Sequence, residues 1–416
     1  MEKYVVAGVE VNKVSLKDIV LNNTMYIAYI LLFIAFCGIL DVIYERYFLI
    51  SATAFDAGIA PASREVAEAM KEAVFGNGGE VKREAPWSLY IVNYMYMIYV
   101  GSGIVFLVAL AEIADIELIK KTASGFLTIG LSMVIAGLFT ILMDLNVLNI
   151  HWMLFSPQFT SGMWLMMPLY MIYIPLVMFE IYLILSHKDS WVKKIAVLIL
   201  ILSLIVEFVE FYVQAKLFEM NSARHLWTTY PFLPLYFMIS SFAASLAIMI
   251  LYTFSVHRSY KLMFILERAT LYFVIALGAY EATAYLFIDK KWAEIILFGD
   301  FKYYFYLYLV MAVAIPFSLL FKHYLNISLR VIAAISIVIG TYIGKTIFLY
   351  GGNAYPLSNR FGVGFEKYGD YEQVKEVIFF MPSLGEIAVV VGSLGVIIFI
   401  YKIVDSFFSV SLMREH

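Results

Sequence analysis

Residues 86–111 have the sequence PWSLYIVNYMYMIYVGSGIVFLVALA, and this stretch decides the class of fold. It contains no charged residue, and it is longer than the roughly 20 apolar residues that an α-helix needs to cross the hydrocarbon core of a bilayer. Two polar features interrupt it, namely Asn93 near its start and the small-residue step Gly101-Ser102-Gly103 in its middle. We therefore predict a membrane-spanning helix that carries polar side chains at a depth where lipid excludes them.

A second apolar stretch follows and ends at Asp144, so that the two stretches form a hairpin that starts and ends at one membrane face. The loop after Asp144 contains Asn149, His151 and Trp152 but no Lys or Arg. The next helix is predicted to begin at about Met163. Asn93, Asp144 and His151 are therefore expected near the same face of the membrane.

The composition extends this prediction to the whole chain. The 416 residues are 63% hydrophobic and only 15% charged, whereas soluble domains contain about 25% charged residues. We therefore predict an all-α polytopic membrane protein, embedded in a lipid bilayer. The net charge of −3 and the lack of a basic run do not indicate nucleic-acid binding. The single cysteine, Cys37, excludes an internal disulfide, Cys-ligated zinc and an Fe–S cluster held by this chain alone.

Ten stretches are long and apolar enough to span a bilayer. They are residues 24–44, 87–111, 122–143, 163–186, 192–215, 231–256, 268–288, 302–321, 328–350 and 385–405. An even number of spans places both termini on one side. The short loops on that side contain ten Lys and Arg residues, against five in the short loops opposite, which predicts cytoplasmic termini in the cell membrane.

Two long loops, 45–86 and 351–384, are then extracytoplasmic. Loops of this length in a compact chain are usually functional or disordered. They are either solvated connections or a docking platform for an extracytoplasmic partner, and the sequence leaves both interpretations open.

Ionisable and amide residues concentrate in the outer third of six spans. A charged side chain at the bilayer centre costs about 2.5–3.5 kcal/mol on insertion scales, so such residues usually face protein or water and indicate a pathway. The residues are Asn93, Asp144, Glu207, Glu210, Gln214, Glu281, Lys345 and Glu386, whereas Glu180 lies in the inner half of its span. Tyr90, Asn93, Tyr94 and Met97 are expected to share one face of the second span.

Several of these residues have a structural alternative. Asp144 and Glu386 are compatible with helix ends that meet water, and Glu386 in a first turn also favours the helix dipole. Lys345 is compatible with a lysine that extends its ammonium outward to the interface. Glu207 and Glu210 are three residues apart and cannot both ionise comfortably, and a functional and a structural role both stay open for this pair.

The histidines argue against haem. None of the six lies in the middle of a predicted span, whereas a membrane cytochrome b needs axial histidines inside its bundle.

Three motifs resemble the NrfD/polysulfide-reductase membrane-subunit family. PWSLYI at 86–91, followed by Gly101-Ser102-Gly103, is similar to the family's "PWGLYI…GxG" helix. DLNVLNIHW at 144–152 is similar to "DLGRPERFW" at Asp144, Leu145 and Trp152, but Val147 replaces the first arginine. MPSLGE at 381–386 is similar to the "YxPSxxE" that opens the last helix of the ten-span HybB/DsrP-like branch.

The resemblance implies a haem-free subunit with two four-helix bundles, helices 2–5 and 6–9, flanked by helices 1 and 10. The implied division is 1–23 (cytoplasmic segment), 24–44 (helix 1), 45–86 (loop), 87–215 (first bundle), 216–350 (second bundle with its connecting loop), 351–384 (loop) and 385–416 (helix 10 and tail). Such subunits bind menaquinone or another quinone near the outer face. They exchange electrons with an extracytoplasmic, ferredoxin-like Fe–S subunit and further redox subunits.

The resemblance and the polar residues together predict the site. The expected quinone contacts are Asn93, Asp144, His151, Tyr90, Tyr94 and Trp152. The expected proton-handling residues are Glu207, Glu210, Glu281, Glu180, Glu386 and Lys345. This chain is expected to bind neither a metal, a haem nor an Fe–S cluster.

The predicted activity belongs to the complex, because this subunit is not catalytic alone. Oxidation of menaquinol is favoured, although quinone reduction would use the same parts. Two other functions stay open. One is a secondary transporter, which would need helices broken at mid-span, with Pro168, Pro175 and Pro316 as candidates. The other is a structural anchor that has no quinone site.

Overall fold

The computed structural model describes residues 3–6, 8–44, 89–144, 155, 157–159, 161–186, 190–220, 225–288, 290–321, 326–354 and 382–413. These residues include ten helices long and apolar enough to cross a membrane, which confirms the predicted all-α polytopic fold and its number of spans. The helices are α1 (Asn23–Ile43), α2 (Leu89–Ile113), α3 (Ala123–Asp144), α4 (Gly162–Leu185), α5 (Ser190–Glu219), α6 (Leu233–His257), α7 (Tyr260–Ala284), α8 (Lys302–Leu320), α9 (Ile327–Ala354) and α10 (Leu384–Phe408).

A small β-hairpin precedes the spans and was not predicted. Strands β1 (Lys3–Val6) and β2 (Val9–Asn12) pair antiparallel. Asn12 Nδ2 donates hydrogen bonds to Ser406 O at 3.0 Å and to Ser409 Oγ at 2.7 Å, where α10 ends. The N-terminal segment therefore lies at the same end of the helices as the end of α10. We call this end the terminal face and the opposite end the distal face.

The described connections between spans include four short helices. Leu16–Val20 precedes α1, and Glu117–Lys120 lies between α2 and α3 at the terminal face. His225–Thr229 and Lys290–Leu297 lie at the distal face, before α6 and α8 respectively.

Small residues allow α2 to approach two neighbours at once, which is how helices associate closely without a hydrophobic driving force. A methyl group added to Gly101 would lie 2.6 Å from the carbonyl oxygen of Gly130 on α3. Two residues later, Gly103 packs against the hydroxyl of Ser245 on α6. Ser245 in turn donates a hydrogen bond to the carbonyl of Val100 at 2.8 Å. The step Gly101-Ser102-Gly103 thus fixes α2 between α3 and α6.

The helices form two contacting sets. Within α2–α5, α2 packs on α3 and α5, and α4 packs on α3 and α5. Within α6–α9, α6 packs on α7 and α9, and α8 packs on α7 and α9. Direct contacts of α6 with α2 and α5 join the two sets, so their division into separate bundles stays a prediction. Helices α1 and α10 pack on each other beside α2 and α3.

The start of α7 differs from the prediction of 268. The helix begins at Tyr260, where the Ser259 side chain accepts a hydrogen bond from the Leu262 amide. The charged residues that follow suggested a loop, but Glu267 is buried and its Oε2 lies 2.9 Å from Arg330 Nε on α9. Arg330, which the charge count placed in a loop, is 1% exposed and lies 4.3 Å above the ring of Tyr260. It is a buried structural cation, so the charge asymmetry of the loops is smaller by one residue.

The prolines do not break α4. The helix runs continuously through Pro168 and Pro175. In α8, one π-helical turn at Val310–Ala314 comes just before Pro316. A transporter with two matched broken helices is therefore not favoured by the described residues.

We expect the Gly101→Ala substitution to destabilise the protein by about 1–3 kcal/mol, because the added methyl group meets the rigid backbone of α3. Gly351→Ala is the matched control, since its methyl group would meet only Leu226, at an ordinary 3.4 Å. The measurement is thermal unfolding of the purified protein in detergent. Equal stability of the two variants would show that α2 and α3 are not in this close contact.

Candidate functional site

Asn93 lies on α2, about 6 Å from the distal end of the helix. Its side chain is 1% exposed, and its Nδ2 donates a hydrogen bond to Ser393 Oγ on α10 at 3.1 Å. Tyr90 lies one turn earlier and packs against Val42 and Val389, on α1 and α10. This part of α2 therefore faces the α1–α10 pair.

Tyr94 does not share this environment, although it was expected on the same face as Asn93. Its hydroxyl lies 3.0 Å from the hydroxyl of Tyr170 on α4. Because Tyr94 follows Asn93 by one residue, about 100° around the helix, the two side chains reach different neighbours. The two residues therefore do not share one face of α2, because Asn93 contacts α10 and Tyr94 contacts α4.

The other predicted quinone contacts lie at or beyond the end of α3. Asp144 is the last residue of α3 and lies at the distal face, although its side chain is outside the described part of the structure. His151 and Trp152 lie outside the described residues entirely, as do Pro86, Trp87 and Ser88. The structure therefore brings Tyr90, Asn93 and the end of α3 to the distal face, next to α10.

Glu386 opens α10 at the same face. The Ser383 amide donates to Glu386 Oε2 and the Glu386 amide donates to Ser383 Oγ, both at 3.2 Å. This capping box is the helix-start role that its position suggested. The hydroxyl of Tyr350, near the end of α9, lies within electrostatic reach of the Glu386 carboxylate.

A second group of polar residues surrounds α5. Glu210 is buried and accepts hydrogen bonds from Ser102 Oγ at 3.0 Å and from Gln214 Nε2 at 3.1 Å. Gln214 also donates to the Tyr170 hydroxyl, which links the group to Tyr94. We call the whole set the α5 polar network, which consists of Tyr94, Tyr170, Gln214, Glu210, Ser102, Tyr173, Glu207, Ser203 and Glu180.

The terminal-face part of the network is less completely paired. Glu207 Oε1 accepts a hydrogen bond from the Tyr173 hydroxyl at 3.3 Å. Glu180 lies beside Ser203, about 8 Å from the terminal end of α4, but within the described residues its carboxylate makes no well-oriented hydrogen bond. Among the described side chains, several more enclosed polar atoms make no hydrogen bond, namely Glu207 Oε2, Ser203 Oγ, Gln214 Oε1 and Tyr99 Oη.

These unpaired atoms are informative because buried polar groups in proteins nearly always have a partner. Ordered water, which makes about three hydrogen bonds at such positions, is the partner that fits a row of polar atoms. The network therefore has the composition of a hydrated path from Gln214 towards Glu180.

A third polar centre lies in α6–α9. Glu281 Oε1 accepts a hydrogen bond from the Tyr308 hydroxyl at 2.6 Å, and Oε2 accepts one from Tyr230 at 3.3 Å. Lys345 is 1% exposed and donates to Ser240 Oγ at 2.8 Å. The alternative in which Lys345 extends to the interface is therefore wrong. Three aromatic rings, of Phe237, Tyr236 and Tyr99, enclose the ammonium. Helix α9 also continues to Ala354, beyond the predicted end at 350.

The sequence missed the partners of these residues. Ser102 was noted only as part of the small-residue step, and tyrosines near the ends of membrane helices are usually interfacial anchors. Tyr170 and Tyr173, three residues apart on α4, carry the one pattern that could have indicated a polar stripe facing α5. In the described part of the chain, no group of three or more His, Cys, Asp or Glu residues is arranged to hold a metal ion.

Comparison with known families gives one match. The family model described as "Polysulphide reductase, NrfD" matches residues 79–356, which is more than half of the chain and contains all of α2–α9. The comparison with curated proteins finds no match.

We expect Asn93 on α2 and Ser393 on α10 to be energetically coupled, because they form a hydrogen bond. Asn93→Ala and Ser393→Ala should each destabilise the protein, and the double variant should recover about 0.5–1.5 kcal/mol of the summed loss. Ser255→Ala is the control, because this exposed hydroxyl bonds only to its own helix. The cycle is measured by thermal unfolding of the wild type, the two single variants and the double variant. If the losses of stability in the two single variants add exactly in the double variant, the contact is contradicted.

Proposed function

This chain belongs to the polysulphide reductase NrfD family, and from that premise we propose that it oxidises menaquinol at its distal face. Members of this family are multi-pass membrane subunits of redox complexes. They interact with quinones and assemble with other redox subunits. The quinone type, the direction of electron flow and the partner's location are part of the proposal.

The observation that carries the proposed site is the convergence of α2, α3 and α10 at the distal face. Their ends place buried Asn93 and Tyr90 beside the end of α3, where Asp144 lies. A quinol supplies two electrons and two protons when it is oxidised, so its site needs hydrogen-bond acceptors in an apolar slot. Ser393 uses only one of the hydrogen bonds that the Asn93 amide can make.

We assign roles to the residues as follows. Asp144 accepts a quinol proton, with His151 as the second acceptor. Asn93 orients the head group by hydrogen bonding, while Tyr90 and Trp152 contact the ring. Tyr94 contacts the head group from the side of α4, and its hydroxyl, 3.0 Å from Tyr170, connects the site to the α5 polar network.

The α5 polar network is proposed to carry protons from the terminal face towards the distal face, in a transfer that quinol oxidation at this site drives. Support comes from its hydrogen-bonded part, from Tyr94 to Ser102, and from its unpaired part, from Glu207 to Glu180. Carboxylates in hydrocarbon are costly unless they are paired or hydrated, so three of them in one row of the α4–α5 interface indicate a pathway.

The electron acceptor is proposed to be an Fe–S subunit that docks at the distal face. With one cysteine in 416 residues, this chain alone lacks the thiolates that hold such clusters. A partner on the distal face would lie next to the proposed quinone site. We take the distal face to be extracytoplasmic, following the distribution of Lys and Arg in the loops.

We expect Asp144→Asn to lower quinol-dependent reduction of the Fe–S partner at least tenfold, because it removes the proton acceptor without changing the shape of the side chain. Asp115→Asn is the matched control, since Asp115 lies at the terminal face and pairs with Lys120. The purified complex should contain a quinone in the wild type, measured by lipid extraction. If an intact Asp144→Asn complex has unchanged turnover, Asp144 is not part of the site. If the wild-type complex has neither bound quinone nor quinol activity, the protein is a structural anchor.

We expect Glu180→Gln and Glu207→Gln to lower proton uptake from the terminal face by at least twofold per electron. The proton ratio is measured in proteoliposomes during quinol oxidation, using a pH-sensitive dye. Glu117→Gln is the control, because this exposed residue at the terminal face pairs only with Lys121 and lies outside the network. A wild-type proton ratio in both network variants would contradict a path along α5.

A further inference from the structure

Lys345 is placed where a lysine is costly. It lies on α9, about 14 Å from the distal end of the helix, and it is enclosed on all sides. No described carboxylate comes within 4.0 Å of its ammonium, so it lacks the direct ion pair that Arg330 has. Taking an ammonium out of water costs several kcal/mol, which makes an enclosed lysine without an ion pair a functional candidate.

Three aromatic rings lie around the Lys345 ammonium. Its Nζ lies 4.0 Å from the ring centroid of Phe237, 4.4 Å from that of Tyr236 and 5.4 Å from that of Tyr99. Such cation–π contacts stabilise an ammonium, and most strongly when the site is desolvated. Only the charged form has this attraction, so the contacts partly offset the cost of burial.

The carboxylate within electrostatic reach of Lys345 is Glu281 on α7. The Tyr236 ring lies against the ammonium, and the Tyr308 hydroxyl donates a hydrogen bond to the carboxylate. The two charged groups thus face the same tyrosine cluster from α7 and α9. They are close enough to interact, but they are too far apart to transfer a proton directly.

A pocket adjoins Glu281 just below the distal face. Its interior is narrow and suits a single water molecule better than an organic ligand. Tyr230, Tyr285 and Phe305 line it together with Glu281, and Leu226 and Ile296 contribute from the two short distal helices. Glu281 lies about 5 Å from the distal end of α7 and can therefore exchange a proton with water that enters there.

Tyr99 connects Lys345 with the α5 polar network. Its ring stacks on Phe211 of α5 at 5.0 Å, and its hydroxyl lies within electrostatic reach of Glu210. That hydroxyl is fully buried and makes no hydrogen bond within the described residues. Tyr99 and Glu210 lie about 15 Å and 14 Å from the distal ends of their helices, which is the depth of Lys345.

We propose that Glu281 and Lys345 form a second proton-exchange site, which releases protons from the α5 polar network to the distal face through the Glu281 pocket. An N–H bond of the Lys345 ammonium breaks, and an O–H bond forms on the Glu281 carboxylate through one bridging water. This transfer leaves a neutral amine and a carboxylic acid. Glu281 then gives its proton to pocket water, and Lys345 regains one from the network by way of water at Tyr99.

This inference rests on the proposed function, because the network must carry protons during quinol oxidation. It predicts that the proton exit is separate from the quinone site. The exit lies in α6–α9, whereas the predicted quinone contacts belong to α2, α3 and the loop that follows α3.

The test uses the complete complex in proteoliposomes and measures two rates together, quinol-dependent reduction of the partner and proton release at the distal face. We expect Glu281→Gln and Lys345→Met to lower proton release per electron at least twofold. Tyr99→Phe should have the same effect, because it removes only the linking hydroxyl.

Electron transfer under uncoupled conditions should stay within twofold of wild type. Lys302→Met is the control, because Lys302 lies at the distal end of α8, near Tyr303 and away from the pocket.

The outcomes separate the two proposals. If the wild type fails to reduce its partner with quinol, the proposed function is wrong. If electron transfer is normal and all three variants release protons as the wild type does, only the second exchange site is wrong. Should Lys345→Met fail to assemble, Glu281→Gln decides the matter, because its amide oxygen and nitrogen keep the shape of the group that bonds Tyr308 and Tyr230.

Discussion

The packing of α2 at Gly101-Ser102-Gly103 is the constraint on which the rest of the structure depends. Gly101 touches α3 and Gly103 touches α6, while Ser102 between them donates a hydrogen bond to Glu210 on α5. Three neighbours are thus fixed around less than one helical turn. In lipid, where burial of apolar surface does not drive helices together, this close approach of backbones is the main source of specificity.

The enclosed charges in this protein are accommodated in three physically different ways. Arg330 and Glu267 form a direct ion pair, supported by Tyr260. Glu210 accepts hydrogen bonds from Ser102 on α2 and from Gln214 on its own helix, and Glu281 accepts them from two tyrosine hydroxyls. Lys345 relies on aromatic faces and one serine. Of these three arrangements, only the first brings opposite charges into direct contact.

These three arrangements also differ in role: the ion pair is structural, whereas the other two belong to the proposed proton path. The ion pair at the terminal ends of α7 and α9 holds those helices together. The α5 polar network lies among α2, α4 and α5 and contains buried polar atoms that make no hydrogen bond within the described residues. The Glu281 centre lies within α6–α9, beside a pocket. Asn93 combines both kinds of role, because it bonds α10 and also lies where the ends of α2, α3 and α10 meet.

The sequence by itself determined the class of the protein. Length and hydropathy are local properties, so they were sufficient to predict ten spans, and the motifs at 86–91 and 144–152 were sufficient to indicate the family. The sequence also identified Glu207, Glu210, Glu281 and Lys345 as unusual, because an ionisable residue in an apolar run can be recognised before its contacts are known.

Only the tertiary structure decided what these residues contact. Ser102 and Glu210 are 108 positions apart, and Lys345 and Ser240 are 105 apart, so that no periodicity within one helix relates them. The same reason explains why Arg330 was counted with the loop charges and why extension to the interface stayed an alternative for Lys345. Whether a polar residue meets lipid, water or a partner depends on the rotation of its helix against its neighbours, and packing of the small residues sets that rotation.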